Sequence, residues 1–548
     1  MNLARSKRNR KPFLPPTVRD RLSAEPPIAG DDDSVGPSAK SAAFRNYVVL
    51  PASKRPVGRI INGWLILTAI ISGAITLADS LTRAPNPGLE LAPPQPLGYE
   101  PYRAAFLFAG VTLPFLFAYA KKARLALAET LFLWFVFCTT AYMKDFSYLR
   151  WPGTPLFVTD LVLFALLLLI YIAPQRHCPP RPLALNLSLT FFVAAGMLGT
   201  ARGFLAHRES ILVLRDSAMI AYSFFLLVGY RLLHNWLTIK RAAVWFVLGT
   251  ALSVMNGLGW LMVAPEQRRF IAPGIYVLIS LVGVLVMMSN RLMRQHVGWF
   301  LVGIFSLGLL LANTRTLFVS LGILSLLALA IPGLLRQKIR SKGLITVLVG
   351  ATVLASVFAF FFLHLQAGRT FTTRVANELD SGLLHSSTDV NWQFRLTAWK
   401  EAWRRFEEYP PAGEGFGNPF NFEIWDNDPR PHNTFLTVLY KLGLLGFFPL
   451  LAILASFFWL GLRAVRRNAA RHGIQFLQIL ILAQLSFCMW GEANFVLESP
   501  FIASVFWIAM GAGFRLIQKF NYEKSLPSLA SVLGNNGKIL LSVPGMAL

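Results

Sequence analysis

At 548 residues the chain is 55% hydrophobic and only 14% charged, with a mean hydropathy of +0.52. A soluble protein of this length does not need so much apolar material, so a membrane protein is expected. The 52 Lys and Arg outnumber the 27 Asp and Glu to give +25, but the cations sit in short loops between apolar blocks. They form no contiguous stripe, which argues against a nucleic-acid partner.

Residues 1–59 begin with the basic run Arg5-Ser6-Lys7-Arg8-Asn9-Arg10-Lys11 and continue through Pro15-Pro16, Pro26-Pro27 and Asp31-Asp32-Asp33. Such a composition cannot bury a core, and a disordered cytoplasmic tail is expected. Its basic start is either simply solvated or drawn to anionic inner-leaflet lipid. The first apolar run begins near Ile60 behind this tail, the pattern of a signal anchor rather than of a cleavable leader.

Apolar blocks then recur with about the 18–22 residues needed to cross roughly 30 Å of hydrocarbon. They fall at 60–79, 104–120, 125–142, 156–173, 183–200, 211–230, 242–262, 271–289, 297–312, 316–335, 344–365, 434–462, 474–490 and 499–514. Two of the pairs are close-set, so about 12–14 spans are expected. A backbone in lipid must satisfy its own hydrogen bonds, which makes these helices and the fold an all-α polytopic membrane protein. The organisation reads as a 60–365 helix bundle, a 366–432 extramembrane loop, C-terminal spans over 433–516 and a 517–548 tail.

Alternate loops are basic and lack carboxylates, among them Lys121/Lys122/Arg124, Lys240/Arg241, Arg336/Lys338/Arg340/Lys342 and Arg463/Arg466/Arg467/Arg471. The Lys/Arg bias of cytoplasmic loops then puts both termini inside and the 366–432 loop outside. Cys138, Cys178 and Cys488 lie in helices or in a cytoplasmic loop, with no metal-ligand spacing and no partner across the outer face.

The 366–432 loop has two legible parts. Over Arg395–Glu408, the residues Leu396, Trp399, Trp403 and Phe406 recur at helical spacing opposite Lys400, Glu401, Arg404, Glu407 and Glu408. This is an amphipathic helix suited either to lying on the bilayer or to roofing the bundle. Pro410-Pro411 stops it, and Gly413, Gly415 and Gly417 permit a tight, closely approaching turn. Asp426-Asn427-Asp428 reads as a solvated acidic loop rather than a metal site.

Three cations should face the same side: Arg215 near the outer start of a span, Arg315 in the Asn313-Thr314-Arg315 turn, and His432 where the loop re-enters the hydrocarbon. Ionisable groups at membrane depth generally face a cavity or a partner. Two guanidiniums and an imidazole converging there would suit a diphosphate, because Arg binds phosphate oxygens bidentately. The plainer alternatives are that Arg215 pairs with Asp216 or snorkels, that Arg315 is a turn cation, and that His432 belongs to a helix cap made by Asn433 or Thr434. Lys441, about two turns deeper, either counters a phosphate or snorkels. Asp160 and Glu492 lie near outer helix ends, where either can orient these groups.

The run Arg395…Trp399…Trp403…Pro410-Pro411…Gly413-Glu414-Gly415-Phe416-Gly417, followed by Pro431-His432-Asn433-Thr434-Phe435-Leu436 and Gly443-Leu444-Leu445-Gly446, resembles the signature of the O-antigen ligase/polymerase superfamily. The resemblance covers about residues 300–450. It implies an enzyme of the bacterial inner membrane that takes a glycan from an undecaprenyl-diphosphate carrier and passes it, on the periplasmic face, to an acceptor hydroxyl. The acceptor in such enzymes is lipid A–core, another lipid-linked repeat or, in related transferases, a protein side chain, and neither a metal nor a nucleotide sugar is needed. The family's loop histidine maps onto His432, its arginine opening a span onto Arg315, and its other arginine onto Arg215.

These residues suit the chemistry. The arginines would stabilise charge on the departing diphosphate, and His432, with an imidazole that titrates near neutrality, would take the proton of the acceptor hydroxyl. Arg395, Trp399, Asn433 and Lys441 would help to hold substrate, with Trp399 and Trp403 either stacking on sugars or anchoring in lipid. Ligase and polymerase stay unseparated at this level. A flippase or exporter of lipid-linked sugar is the competing class, although the paired broken helices typical of transporters are not evident.

Overall fold

The computed structural model describes residues 103–123, 125–149, 156–172, 181–234, 236–263, 271, 274–290, 292–312, 314–330, 390–418, 431–468 and 473–525. Expectations for the 1–59 tail, the 60–79 and 344–365 spans, Cys178, Asp426-Asn427-Asp428 and the 526–548 end lie outside those residues. Among the described residues the regular structure is helical, with no strand.

The helices in chain order are α1 Arg103–Ala123, α2 Leu127–Ser147, α3 Val158–Ile172, α4 Leu183–Leu205 and α5 Ser210–Ala221. A 3₁₀ turn at Tyr222–Phe224 joins α5 to α6 Phe225–Leu232, and α7 Trp236–Val263, α8 Ile275–Ser289, α9 Gln295–Ala312 and α10 Arg315–Ala330 follow. Beyond the loop come α11 Val390–Glu408, α12 Thr434–Arg467, α13 Ile474–Gly491 and α14 Pro500–Ser525. Seven stretches among the described residues are long and apolar enough to span a membrane, with α5 and α6 acting as one. The protein is an all-α polytopic membrane protein.

Helix α14 is the central element. Ala503, Trp507, Met510, Phe514, Leu516 and Ile517 along its length are essentially inaccessible, while α3 and α4 turn Phe164, Tyr171, Leu187 and Phe191 outward. Lipid is as apolar as leucine, so burial alone does not drive such helices together, and close packing must. Here it does. A Cβ on Gly229 of α6 would collide with the backbone of Ile508, and one on Gly511 of α14 with the carbonyl of Leu226. The two helices therefore touch backbone to backbone. Around this pair, α12 packs on α4, α2 on α7, and α8 on both α9 and α13.

The roofing helix differs in part from its expected face: Trp399 and Phe406 turn inward, Leu396 and Trp403 do not. Ala398 and Ala402, with Phe406 beside them, meet Tyr440 and Leu436 of α12, and Phe394 is buried against His432. Leu396 and Trp403 look outward. Two alanines let α11 sit close on α12, and the bulky side chains on its flank cover the seam instead of filling it.

Candidate functional site

The first turn of α12 is fixed by two residues. Asn433, in extended backbone, accepts hydrogen bonds at Oδ1 from the N–H groups of Phe435 and Leu436, both at 3.0 Å. This is an N-cap, and its side-chain amide reaches Glu492 at the end of α13, 3.3 Å away. Thr434 uses its hydroxyl differently. It donates to the Asn494 carbonyl at 3.0 Å and accepts from the Val496 N–H at 2.7 Å. Between the two expected cap residues, Asn433 caps and Thr434 ties α12 to the α13–α14 connection.

His432 precedes the cap with φ +50°, in the left-handed region that side chains beyond glycine seldom adopt. Such a backbone is held in place by its surroundings. The half-buried ring stands edge-on to Phe394 of α11, with centroids 5.7 Å apart, and tilts against Phe495 at 5.1 Å. Trp399 of the same roofing helix donates its indole N–H to the Pro431 carbonyl at 2.8 Å. Helix α11 therefore grips the approach to His432 from above while the α13–α14 connection grips it from the side.

About three turns beyond His432, α12 is interrupted. Gly443 has φ +61° and ψ −161°, so the helix cannot form its usual bonds across that point. The Gly-rich turn after α11 is spliced into the gap. The N–H groups of Glu414 and Gly415 donate to the carbonyls of Tyr440 and Lys441, at 2.8 and 3.0 Å. Those of Leu444 and Leu445 donate to the carbonyls of Pro410 and Pro411, at 2.9 and 3.0 Å. Both helical hydrogen bonds that the break abolishes are thus replaced from the turn, as backbone at membrane depth requires. The fit allows no side chain: a Cβ on Gly443 would strike the backbone of Gly413 and Pro411, and one on Gly413 that of Lys441.

Helices α4 and α5 hold the other side of the turn. Arg202 donates to the carbonyls of Ala412, at 3.2 Å, and Gly413, and Arg208 to that of Phe416 at 2.9 Å. The Phe416 N–H reaches the Gly199 carbonyl at 3.1 Å, and the Gly417 N–H reaches Asp216 Oδ2 at 2.9 Å. The other oxygen of Asp216 receives Lys441 Nζ at 2.7 Å, and Glu498, just before α14, lies 3.4 Å from the same ammonium. Lys441 is 5% exposed and thus committed to two carboxylates. Glu414, inside the turn, meets Asn418 at 2.8 Å and Arg405 at 3.5 Å, and burial pushes its carboxyl above the usual carboxylate value.

The sequence-derived residues are thus placed as follows. His432, Asn433 and Trp399 form one connected unit, and Arg395 follows Phe394 on the helix that roofs it. Arg215 is exposed on α5, one residue before the Asp216 that binds both the turn and Lys441. Arg315 is the first residue of α10, which packs on α13. Its neighbour Leu317 lies against Gly274, and Tyr276 just beyond donates to the carbonyl of Phe501 at the start of α14. Arg315 therefore opens its helix at the bundle end where His432 sits. Sequence reasoning passed over Arg202, Arg208, Glu498 and the structural part of Asp216. The criterion that singled out Asp160 and Glu492, an ionisable group near the end of an apolar span, applies to all four.

Beneath Thr434 a small apolar cavity of about 10 Å³ lies between α12, α13 and α14, lined by Phe435, Leu450, Leu454, Phe487 and Val496. The site is thus a polar junction above closely packed apolar side chains. Residues 300–451 match the family model described as O-Antigen ligase. Over that segment, a little over a quarter of its length, the chain is similar to the O-antigen ligase/polymerase superfamily. The match takes in Arg315, all of α11, the spliced turn, His432 and the break at Gly443, and it supports glycan transfer of the ligase/polymerase type. No curated protein matches the chain.

Proposed function

We propose that the His432 end of the bundle transfers a glycan from an undecaprenyl-diphosphate-linked donor to an acceptor hydroxyl, on the periplasmic face of the bacterial inner membrane. The observation behind this reading is the seating of His432. A titratable ring is held in left-handed backbone between Phe394 and Phe495, at the polar junction of a family-matched segment.

In the proposed step an imidazole nitrogen of His432 removes the acceptor hydroxyl proton as the oxygen attacks the anomeric carbon. The bond from that carbon to the diphosphate oxygen breaks, and the carrier diphosphate leaves with the electron pair. Arg215 and Arg315 hold the charge that accumulates there. Asn433 fixes the turn that presents the ring, while Arg395 and Trp399 guide glycan across the roof. Lys441, engaged by Asp216 and Glu498, positions the wall beneath them. Ligase-type transfer to lipid A–core is preferred, with polymerisation of lipid-linked repeats as the alternative.

The test uses the purified full chain in lipid nanodiscs with a lipid-linked donor and a hydroxyl acceptor, following glycosidic bond formation. His432→Ala is expected to lower kcat by about 10²–10⁴-fold, the usual contribution of a general base, with donor binding retained. Arg215→Ala should weaken donor binding as well. Near-wild-type transfer by His432→Ala at equal protein level removes His432 as the base, and donor movement without bond formation points to transport. In a deletion strain, long glycan stranded on the carrier marks a ligase, and accumulated single repeats mark a polymerase.

A further inference from the structure

The opposite end of the bundle holds a second polar arrangement that glycan transfer does not use. Arg515 of α14 lies fifteen residues beyond Pro500, about 22 Å along the helix from the His432 end. It is 8% exposed, and its guanidinium lies 5.5 Å from the centroid of the Tyr230 ring of α6. Nε and Nη1 are both buried without a hydrogen-bond partner. Snorkelling does not explain this, because a snorkelling head reaches water. Neither does the cytoplasmic bias of cations, which fills exposed loops.

Other cations gather around it. Arg231 follows Tyr230 on α6, and Arg181 stands just before α4. Burial, and then the neighbouring Arg231 charge, push the Arg181 guanidinium below its ordinary value. Like charges stand together partly shielded from water, an arrangement that an anion would relieve. Lys519, one turn beyond Arg515, lies 4.6 Å from the ring of Trp236.

We propose that Arg515, Arg231, Arg181 and Lys519 form a binding site for the phosphate headgroup of an anionic membrane lipid. Arg presents forked donors that match phosphate oxygens, which suits the open Nε and Nη1 of Arg515. The flank beside Arg181 explains why the phosphate should carry a lipid. Leu183 and Leu187 of α4 are 72% and 50% exposed, an apolar face along which acyl chains can lie. Trp236 marks the headgroup level, where indoles prefer to sit. Basic pockets between helices at a membrane surface bind anionic headgroups by this logic.

The full chain would be incorporated in nanodiscs of phosphatidylglycerol mixed with phosphatidylcholine, released, and examined by native mass spectrometry. Thermal stability in detergent would be followed in parallel with added phosphatidylglycerol, phosphatidylcholine or inorganic phosphate. The wild type is expected to retain phosphatidylglycerol selectively and to be stabilised by it. Arg515→Gln should cut that retention about ten-fold, the loss of roughly one charge-assisted phosphate contact. If Arg515→Gln does not fold, Arg515→Lys and the more peripheral Lys519→Gln serve, each with a smaller loss. Stabilisation by inorganic phosphate alone, without lipid selectivity, would keep the anion site and overturn the lipid. Equal retention of both lipids, with Arg515→Gln and Lys519→Gln unchanged, would overturn the site itself.

Discussion

Helices α12 and α14 run through the same bundle and meet the same demand in opposite ways. Helix α14 is continuous and sealed: it presses Gly511 onto the backbone of α6 and surrounds Trp507 with apolar neighbours. Helix α12 gives up its continuity at Gly443 and accepts the polar turn after α11 into its own hydrogen-bond ladder. The difference teaches where this protein spends polar groups at membrane depth. An unsatisfied backbone group there costs several kcal/mol, so the break persists because the turn answers every bond it loses. What the break provides is a rigid linkage, through which α11, the turn and His432 are registered to α4, α5 and α14.

The largest effect expected from attacking that linkage is on its buried charges. Lys441→Met removes the countercharge from Asp216 and Glu498 and should lower stability by about 3–5 kcal/mol, the usual result of orphaning a buried pair. Adding Asp216→Asn should return part of it. A double-mutant cycle of thermal unfolding measures this, and additive losses would show that Lys441 and Asp216 do not act together. Next comes the break itself. Gly443→Ala places a side chain where φ is +61° and where it would strike the turn. Backbone in this region, essentially confined to glycine, costs about 1–3 kcal/mol for a residue with a Cβ. Limited proteolysis should then cut near residues 410–417 far faster than in Gly511→Ala, whose collision with Leu226 loosens the α6–α14 contact instead. Equal cleavage in both variants would mean the turn is not held by the splice.

These variants also mark what the sequence made legible. The all-α membrane fold followed from apolar block lengths, and most described helices begin and end within a few residues of the expected spans, since a hydrocarbon thickness leaves little freedom. Gly413, Gly415 and Gly417 were readable as a closely approaching turn, and all three have positive φ. What the turn approaches was not readable, because nothing local in Gly443-Leu444-Leu445-Gly446 distinguishes a broken helix from a tightly packed one. For a related reason the packed face of α11 was only half legible, with Trp399 and Phe406 turning inward as expected. Hydrophobic spacing favours Trp403 and Leu396, whereas a close helix contact selects the small Ala398 and Ala402. His432 and Asn433 could be named in advance since their chemistry is in the side chain. Arg202 and Arg208 act on backbone carbonyls some two hundred residues away, a contact that one-dimensional spacing does not reveal.

The smallest expected effect lies on the outer face of α11, where the same kinds of charge should count for little. Glu401 sits between Arg404 at 2.8 Å and Arg405 at 2.9 Å. The hydrogen bond from Arg404, aided by Arg405, holds its carboxyl down to about 2 against an ordinary 4.5. A carboxylate with a lowered value contributes stability above about pH 4.5, and the contribution disappears as pH falls toward about 2. Water and salt screen this cluster, with Arg404 58% exposed, so the contribution should be small. Glu401→Gln is therefore expected to lower the melting temperature by at most about 2 °C at pH 7. The difference should shrink in high salt and close as pH approaches 2. A loss at pH 7 as large as that of Lys441→Met would mean that α11 is docked by its charges rather than by Ala398, Ala402 and the spliced turn.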